Sequence, residues 1–389
     1  MEQGYEKYYI NLGFNMKILL ATPEYPPYGS GIANVVYMLR SHLSKKGVDV
    51  DVLSQGGADI NIISIFNAPG LFRLVPFWQK AVDYILKKSD DYDVVWLHSP
   101  LLINAKKLRH IRNIMMSFHV TYYGHYRAYE MHNISHLLPY YYLATKLEHH
   151  FLKQLSYYEN IAITAISPSV AEELHKNGLI HHIHIVPNGF EIESPTLFDK
   201  TRARELICKK YSLQLSKKDI VLLYVGRITE IKQPLLLIDL FKAISSIKPN
   251  IHLIIVGSGN LFTKMRKKAI CHHNIHILGY VPHQEIWPLL RAADAFISLS
   301  FYEGLPLAAL EAASFGLPLI LSDIPAHRFI INSKVGNGIL IDSHNPCFME
   351  ICNFLNNIEK KKLITDASLM KQFTWENVVK QYLTLLSSQ

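Results

Sequence analysis

At 389 residues the chain is long for one domain, and two domains of nearly equal size are the natural expectation. Hydrophobic residues make up 49% and charged residues 19%, as in ordinary globular proteins, and no apolar run reaches the ~18 residues of a membrane-spanning helix. A net charge of +8 is too diffuse to argue for nucleic acid; it suits an anionic ligand or an anionic membrane surface. Four scattered cysteines without a CxxC pair suit free thiols in a reducing cytoplasm, and residues 1–15 read as a loose extension without a signal-like apolar core.

The first half alternates strand and helix, as a doubly wound parallel sheet does. Lys17–Thr22 is an apolar strand running into a loop that carries Gly29 and Gly31. A helix follows, with Ile32, Val35, Val36, Leu39 and Leu43 on one face; Gly47 ends it, and Val48–Leu53 is the next strand. Such a loop points backbone N–H groups toward a helix entrance, a setting suited to phosphate, although both glycines can serve the turn alone. Tyr92–His98 and Asn113–Val120 are further strands, and His119 falls at the end of the second, where open α/β sheets present ligands. The plainer reading of a histidine there is packing or hydrogen bonding. Between His98 and Arg127 lie five Lys/Arg and no acidic residue, and Leu101, Leu102, Ala105, Leu108 and Ile111 suggest the apolar face of a basic helix at 101–112. Seven tyrosines follow between Tyr122 and Tyr142. A solvated helix with core aromatics and a membrane-touching face leading to a saccharide-stacking cleft are both open readings. Ile161–Ile166 is a strand, Ser169–Lys176 a helix, and Ile183–Gly189 closes this half on a turn.

Residues 191–218 are more polar and less periodic, so the inter-domain connection falls near 190–200. The second half repeats the architecture with strands at Ile220–Val225, Ile251–Val256, Ile275–Leu278, Ala295–Ser298 and Pro318–Leu321, and a helix from Pro234 to about Ile247. Arg227 at a strand end and Lys232 at the next helix entrance can converge on one anion, the first as a planar fork and the second as a point charge; solvated surface cations are the alternative. Ser300–Gly316 holds Glu303 and Glu311 with seven residues between them. Pro306 suits a first helical turn and Gly316 a C-terminal stop. The helix is nearly apolar all round and puts no basic residue at i±3 or i±4 of Glu311, so a partner from elsewhere must meet that carboxylate. It is either a structural cap on a neighbouring loop or a ligand contact. Residues 372–383 form a last amphipathic helix. Two Asp-x-Asp triplets, Asp49–Asp51 and Asp91–Asp93, straddle strand starts and read as coincidence, and the 20 histidines supply no closed metal-ligand set.

Glu303 and Glu311 reproduce the E-x7-E motif of the family-4 retaining glycosyltransferases, and Val225–Lys232 resembles that family's Gly-Arg…Lys segment, with Gln233 where a glycine is usual. Many members read Glu-Gly-Phe-Gly where this chain has Glu-Gly-Leu-Pro. The resemblance runs from Met16 onward. It implies the α/β GT-B fold: two Rossmann-like domains facing a central cleft, 1–190 and 191–371, with 372–389 crossing back to the first. It further implies a hexose-type sugar moved from a nucleotide diphosphate sugar to a saccharide or lipid-linked acceptor, in cell-envelope polysaccharide, glycolipid or glycoconjugate synthesis, at the cytoplasmic side of a membrane. Glu311 would meet the ribose; Glu303 and His119 the sugar; Arg227, Lys232, Gly29 and Gly31 the diphosphate. No metal or other cofactor is expected. A GT-B epimerase or phosphorylase, or an inactive sugar-nucleotide-binding subunit, is the alternative.

Overall fold

The computed structural model describes residues 16–27, 31–62, 70–158, 161–191, 199–342, 344–357 and 370–387. Residues 1–15 and Gly29 therefore lie outside the described residues. Contacts divide the chain into two compact units, Met1–Arg127 with Ser135–Gly189 and Phe373–Gln389, and Ala128–Ile134 with Phe190–Gln372. The grouping of Ala128–Ile134 with the second unit differs from a boundary near 190. Tyr129 and His132 pack on Phe301, with ring centroids 5.2 and 4.5 Å apart.

The first unit is built on seven strands: β1 (Lys17–Ala21), β2 (Asp49–Ser54), β3 (Ile60–Asn61), β4 (Val94–His98), β5 (Ile114–Phe118), β6 (Ile161–Ala165) and β7 (Ile183–Ile185). They lie in the order β3-β2-β1-β4-β5-β6-β7, all parallel. β4 and β5 are buried along their whole length, which is why they read as unbroken apolar runs rather than alternating ones. Helix Gly31–Lys45 buries Ala33, Val35, Val36, Leu39 and Leu43 as one stripe. The C-terminal helix Trp375–Ser387 belongs to this unit and buries Trp375, Val378, Val379, Tyr382 and Leu386. Tyr382 meets Trp96 at a centroid distance of 4.5 Å, and Trp375 stacks on His42 at 5.7 Å.

The basic helix expected at 101–112 is not formed. Only Ala105–His110 is helical, as a 3-10 segment opened by Asn104, whose side chain accepts from the Lys106 N–H. Leu101, Leu102, Ala105, Leu108 and Ile111 are all buried in the unit, so they offer no apolar face to a membrane. Lys107 is held by Asp83 at 2.7 Å. The apolar spacing in this stretch marks core contacts of an irregular segment. Helix Leu71–Lys88, with Pro76 in its second turn, and helix Leu138–Leu155 flank it.

The second unit has six parallel strands: β8 (Ile220–Val225), β9 (Ile251–Val256), β10 (Ile275–Gly279), β11 (Ala295–Ser298), β12 (Leu319–Ser322) and β13 (Gly338–Ile341). Their order is β10-β9-β8-β11-β12-β13. The polar stretch after 191 contains helix Lys200–Tyr211, capped by Asp199. Both sheets reverse winding direction once, between β1 and β4 and between β8 and β11. At such a switch point the loops leaving the two strands diverge and open a crevice at the carboxyl edge.

Candidate active site

The two loops that flank the switch point of the second sheet carry the chemistry. After β8 the chain runs Gly226, Arg227, Ile228 and then a 3-10 turn, Glu230–Lys232, into helix Pro234–Ile247. Backbone packing fixes its path: Gly226 N–H donates to the Val256 carbonyl at 3.0 Å and Ile228 N–H to the Ser258 carbonyl at 2.8 Å. The Tyr224 hydroxyl donates to the Arg227 carbonyl at 2.9 Å. Arg227 is left exposed, whereas Lys232 turns inward. Gln233 adopts φ +50°, in the left-handed region where glycine fits without steric cost. That is the physical reason a glycine suits this place.

After β11 the chain passes Ser300 and reaches Glu303, then enters helix Leu307–Ser314. Phe301 N–H donates to the Ile231 carbonyl at 3.0 Å, which ties this loop to the Lys232 turn. The Lys232 ammonium and the Glu303 carboxylate form an ion pair, both side chains largely buried. Burial raises the Glu303 pKa, but Lys232, His327 and the Ser300 hydroxyl outweigh it and hold the carboxyl below its ordinary value. It is therefore an ionised acceptor. Arg227 and Lys232 share the loop, but the ammonium meets Glu303 while the guanidinium stays exposed, so the two do not meet on a common protein anion.

Helix Leu307–Ser314 ends in a Schellman pattern: Gly316 at φ +74°, its N–H on the Ala313 carbonyl at 2.9 Å, and Leu317 N–H on the Ala312 carbonyl at 3.1 Å. Glu311 is buried, and its partner is His283, whose Nε2 lies 2.9 Å from Oε1. That hydrogen bond raises the His283 pKa, with burial opposing and the charges of Glu311 and Glu191 adding. His283 is itself about half exposed, whereas the Glu311 side chain is only 12% exposed.

In the first unit His119 follows β5 and is buried. Its Nε2 is 3.1 Å from His98 Nδ1 at the end of β4, and the rings stack at 5.4 Å. Burial lowers His119 to about 4, with Asn188 partly opposing, and burial followed by the His119 charge drives His98 well below its usual value. One of the two neutral imidazoles donates to the other, the direction being set by their tautomers. Gly31 opens helix Gly31–Lys45, and a Cβ there would meet nothing within 4 Å, so packing does not demand the glycine. The Asp-x-Asp triplets sit at the opposite, amino edge of the sheet. Lys17 Nζ is 3.8 Å from Asp49 and 3.4 Å from Asp51, and the Lys17 N–H donates to Asp93 at 2.7 Å. Among the described residues no group of three or more His, Cys, Asp or Glu side chains could hold a metal ion.

Two parallel doubly wound units are the GT-B arrangement, and solved structures share that fold. Anabaena HepE, crystallised with UDP and glucose, superposes with a TM-score of 0.66 at 16% identity, covering 96% of this chain and 100% of that one. Sucrose-phosphate synthase from Thermosynechococcus elongatus gives a TM-score of 0.72 at 17% identity with the same coverage. At these identities the likeness is one of fold. The profile described as Glycosyltransferase Family 4 matches residues 29–194 and that of Glycosyl transferases group 1 matches 209–349, and the chain belongs to the glycosyltransferase family that these two halves define. An uncharacterized glycosyltransferase of Methanocaldococcus jannaschii is 25% identical over 94% of this chain and 96% of its own length. An Escherichia coli UDP-Gal:alpha-D-GlcNAc-diphosphoundecaprenol alpha-1,3-galactosyltransferase is 30% identical over 48% of this chain and 46% of its own.

The working set is thus partly gathered. Lys232 and Glu303 touch, and Glu311 stands on the helix that follows. Three histidines escaped the sequence reading. His283 reaches Glu311 from 28 residues upstream, His327 lies buried against Ser322, and His98 pairs with His119 from 21 residues upstream. None carries a local signal, because each depends on which strands are neighbours.

Proposed function

We propose that this glycosyltransferase is a retaining enzyme that moves a hexose-type sugar from a nucleotide diphosphate sugar to a saccharide or lipid-linked acceptor. The observation that carries the reading is the ion-paired Lys232 and Glu303 at the switch point of the second sheet, with Glu311, bonded to His283, on the next helix. Glu311 takes the ribose hydroxyls, Glu303 a sugar hydroxyl, and Arg227 and Lys232 the diphosphate. His119, Gly29 and Gly31 are assigned to the same donor. The names of the relatives, with UDP-Gal as donor and a diphosphoundecaprenol acceptor in one case, support a role in envelope polysaccharide or glycoconjugate synthesis. A lipid-linked acceptor brings the enzyme to an anionic membrane, for which a net charge of +8 is suited.

Cleavage of the C1–O bond leaves both bonding electrons on the diphosphate. Fixed cations stabilise that charge more in the transition state than in the ground state. In a front-face displacement the acceptor oxygen bonds to C1 on the side the diphosphate leaves. Its proton passes to a departing phosphate oxygen. Glu303, ionised and bonded to Lys232, orients the sugar rather than attacking it.

The test is a panel of UDP-glucose, UDP-galactose, UDP-N-acetylglucosamine, GDP-mannose and ADP-glucose, scored for binding and for nucleotide release that depends on an added acceptor. The product anomer is read by NMR. Binding without acceptor-dependent release would point instead to a binding subunit, and an inverted anomer would remove the front-face route. Because the charge is met by Arg227 and Lys232, we also expect excess EDTA to leave most of the initial rate. Complete loss restored by one added metal would overturn that assignment.

A further inference from the structure

His327 is a buried side chain to which none of the roles above is assigned. It lies in helix Pro325–Asn332 and is fully buried. Its Nδ1 is 2.9 Å from the Ser322 carbonyl oxygen and 3.1 Å from Ser322 Oγ. The Ser322 hydroxyl itself donates to the Ser300 carbonyl. A carbonyl only accepts, and the single hydroxyl proton is already committed, so both contacts require the ring proton on Nδ1. Burial lowers the pKa to about 4, so the ring is neutral. Nε2 then carries a bare lone pair, and among the described residues it has no hydrogen-bond partner. Buried acceptors without a donor are rare in folded proteins, and one beside a ligand-binding loop calls for an explanation.

The surroundings narrow the choice of donor. Ser300, which takes the Ser322 proton on its carbonyl, also hydrogen-bonds the Glu303 carboxylate through its side chain. Glu303 and Lys232 both act electrostatically on the His327 ring, in opposite directions. Glu303 is ionised and has no proton to give, and the Lys232 ammonium is turned to Glu303. A neutral hydroxyl brought in by a ligand is a group that fits a lone pair which neither Glu303 nor Lys232 meets. We propose that His327 Nε2 accepts a hydrogen bond from one hydroxyl of the sugar that Glu303 engages, so that His327 selects donors bearing that hydroxyl. This rests on the nucleotide-sugar reading. A site built to receive a hydroxyl rejects the analogue lacking it more strongly than an apolar pocket rejects a changed methylene.

The test uses the best-binding nucleotide sugar of the panel, its single-deoxy analogues, and the free nucleoside diphosphate, measured by calorimetry. His327→Asn keeps a donor at the Nδ1 place for Ser322 but removes the Nε2 acceptor, while His327→Gln sets an amide oxygen near the Nε2 place. In the wild-type protein one deoxy analogue binds at least ~10-fold more weakly than the parent. In His327→Asn the parent falls by a similar factor, that analogue falls no further, and the free nucleoside diphosphate is unaffected; His327→Gln recovers part of the loss. Equal affinity of the wild type for every deoxy analogue overturns the inference, a result that needs no variant. So does a parallel loss of nucleotide and nucleotide-sugar affinity in His327→Asn, which would mean the ring only supports the loop. A wild-type protein that binds nucleoside diphosphate but no nucleotide sugar overturns the proposed function, and this inference with it.

Discussion

Lys232 and Glu303 are bound to each other's fate, and that separates two cations which the sequence treats alike. Arg227→Ala and Lys232→Ala should each lower turnover by roughly 10²–10³-fold, as the loss of one fixed charge stabiliser does. Only Lys232→Ala strands a buried carboxylate, a defect that costs about 3–5 kcal/mol when a buried pair is broken from one side. Thermal melts should therefore show a clear drop for Lys232→Ala and almost none for exposed Arg227→Ala. The double variant Lys232→Ala/Glu303→Gln should regain stability without regaining turnover; equal melting of both single variants would contradict the pairing. The two glutamates should separate as well. Glu311→Gln weakens free nucleoside diphosphate binding, while Glu303→Gln depresses turnover and spares it, and the reverse pattern in calorimetry would exchange their roles. What was legible here was the need: a carboxylate on an apolar helix without a neighbouring cation must find a partner elsewhere. Which partner was not legible, since His283 comes from a loop 28 residues away.

At the scale of elements, the β8 loop owes its shape to a backbone crossing. Gly257 has φ +142°, and a Cβ there would lie 1.8 Å from the Gly226 carbonyl oxygen. Gly257→Ala must therefore push the Gly226–Arg227 segment aside. We expect turnover and melting temperature to fall together; an unchanged melting temperature with full activity would mean the loop can move freely. Most strands of both sheets, though not β13, were readable because buried parallel strands are short apolar runs between turn signals. Elements whose pattern is interrupted were not. Helix Leu71–Lys88 carries Pro76 inside it, and β3 has only two residues. The 101–112 stretch misled for the opposite reason: an irregular segment that buries Leu101, Leu102, Leu108 and Ile111 mimics helical spacing.

For the molecule as a whole, buried and half-buried neutral histidines set the response to acid. His119, His132, His276 and His327 are lowered to about 4, and His98 lies well below its usual value, all chiefly through burial. Between that range and the ordinary 6.5, the unfolded chain binds more protons than the fold. Their contribution is complete above the ordinary value and is lost as pH falls toward the folded one. Glu148 acts oppositely: burial raises it to about 7, against hydrogen bonds from Tyr122, Tyr123 and Asn177, so the fold gains as pH drops through that window. Five lowered imidazoles against Glu148 and the raised His283 give a net loss, and the urea midpoint should decrease from about pH 7 to about pH 5. A flat or rising midpoint would show that these rings titrate normally in the fold.

The helix that completes the first unit is made only after the second unit. The chain leaves that unit at Gly189 and returns at Phe373. Trp375 then seats so closely that a Cβ on Gly189 would come within 2.5 Å of its ring. On the ribosome, the first sheet must wait while the whole second unit is translated, roughly 10–40 s at ordinary elongation rates. Until then the faces of His42 and Trp96 that receive Trp375 and Tyr382 stay open to water or to a chaperone. A ribosome stalled before residue 373 would hold a nascent chain whose second unit is whole and whose first is not.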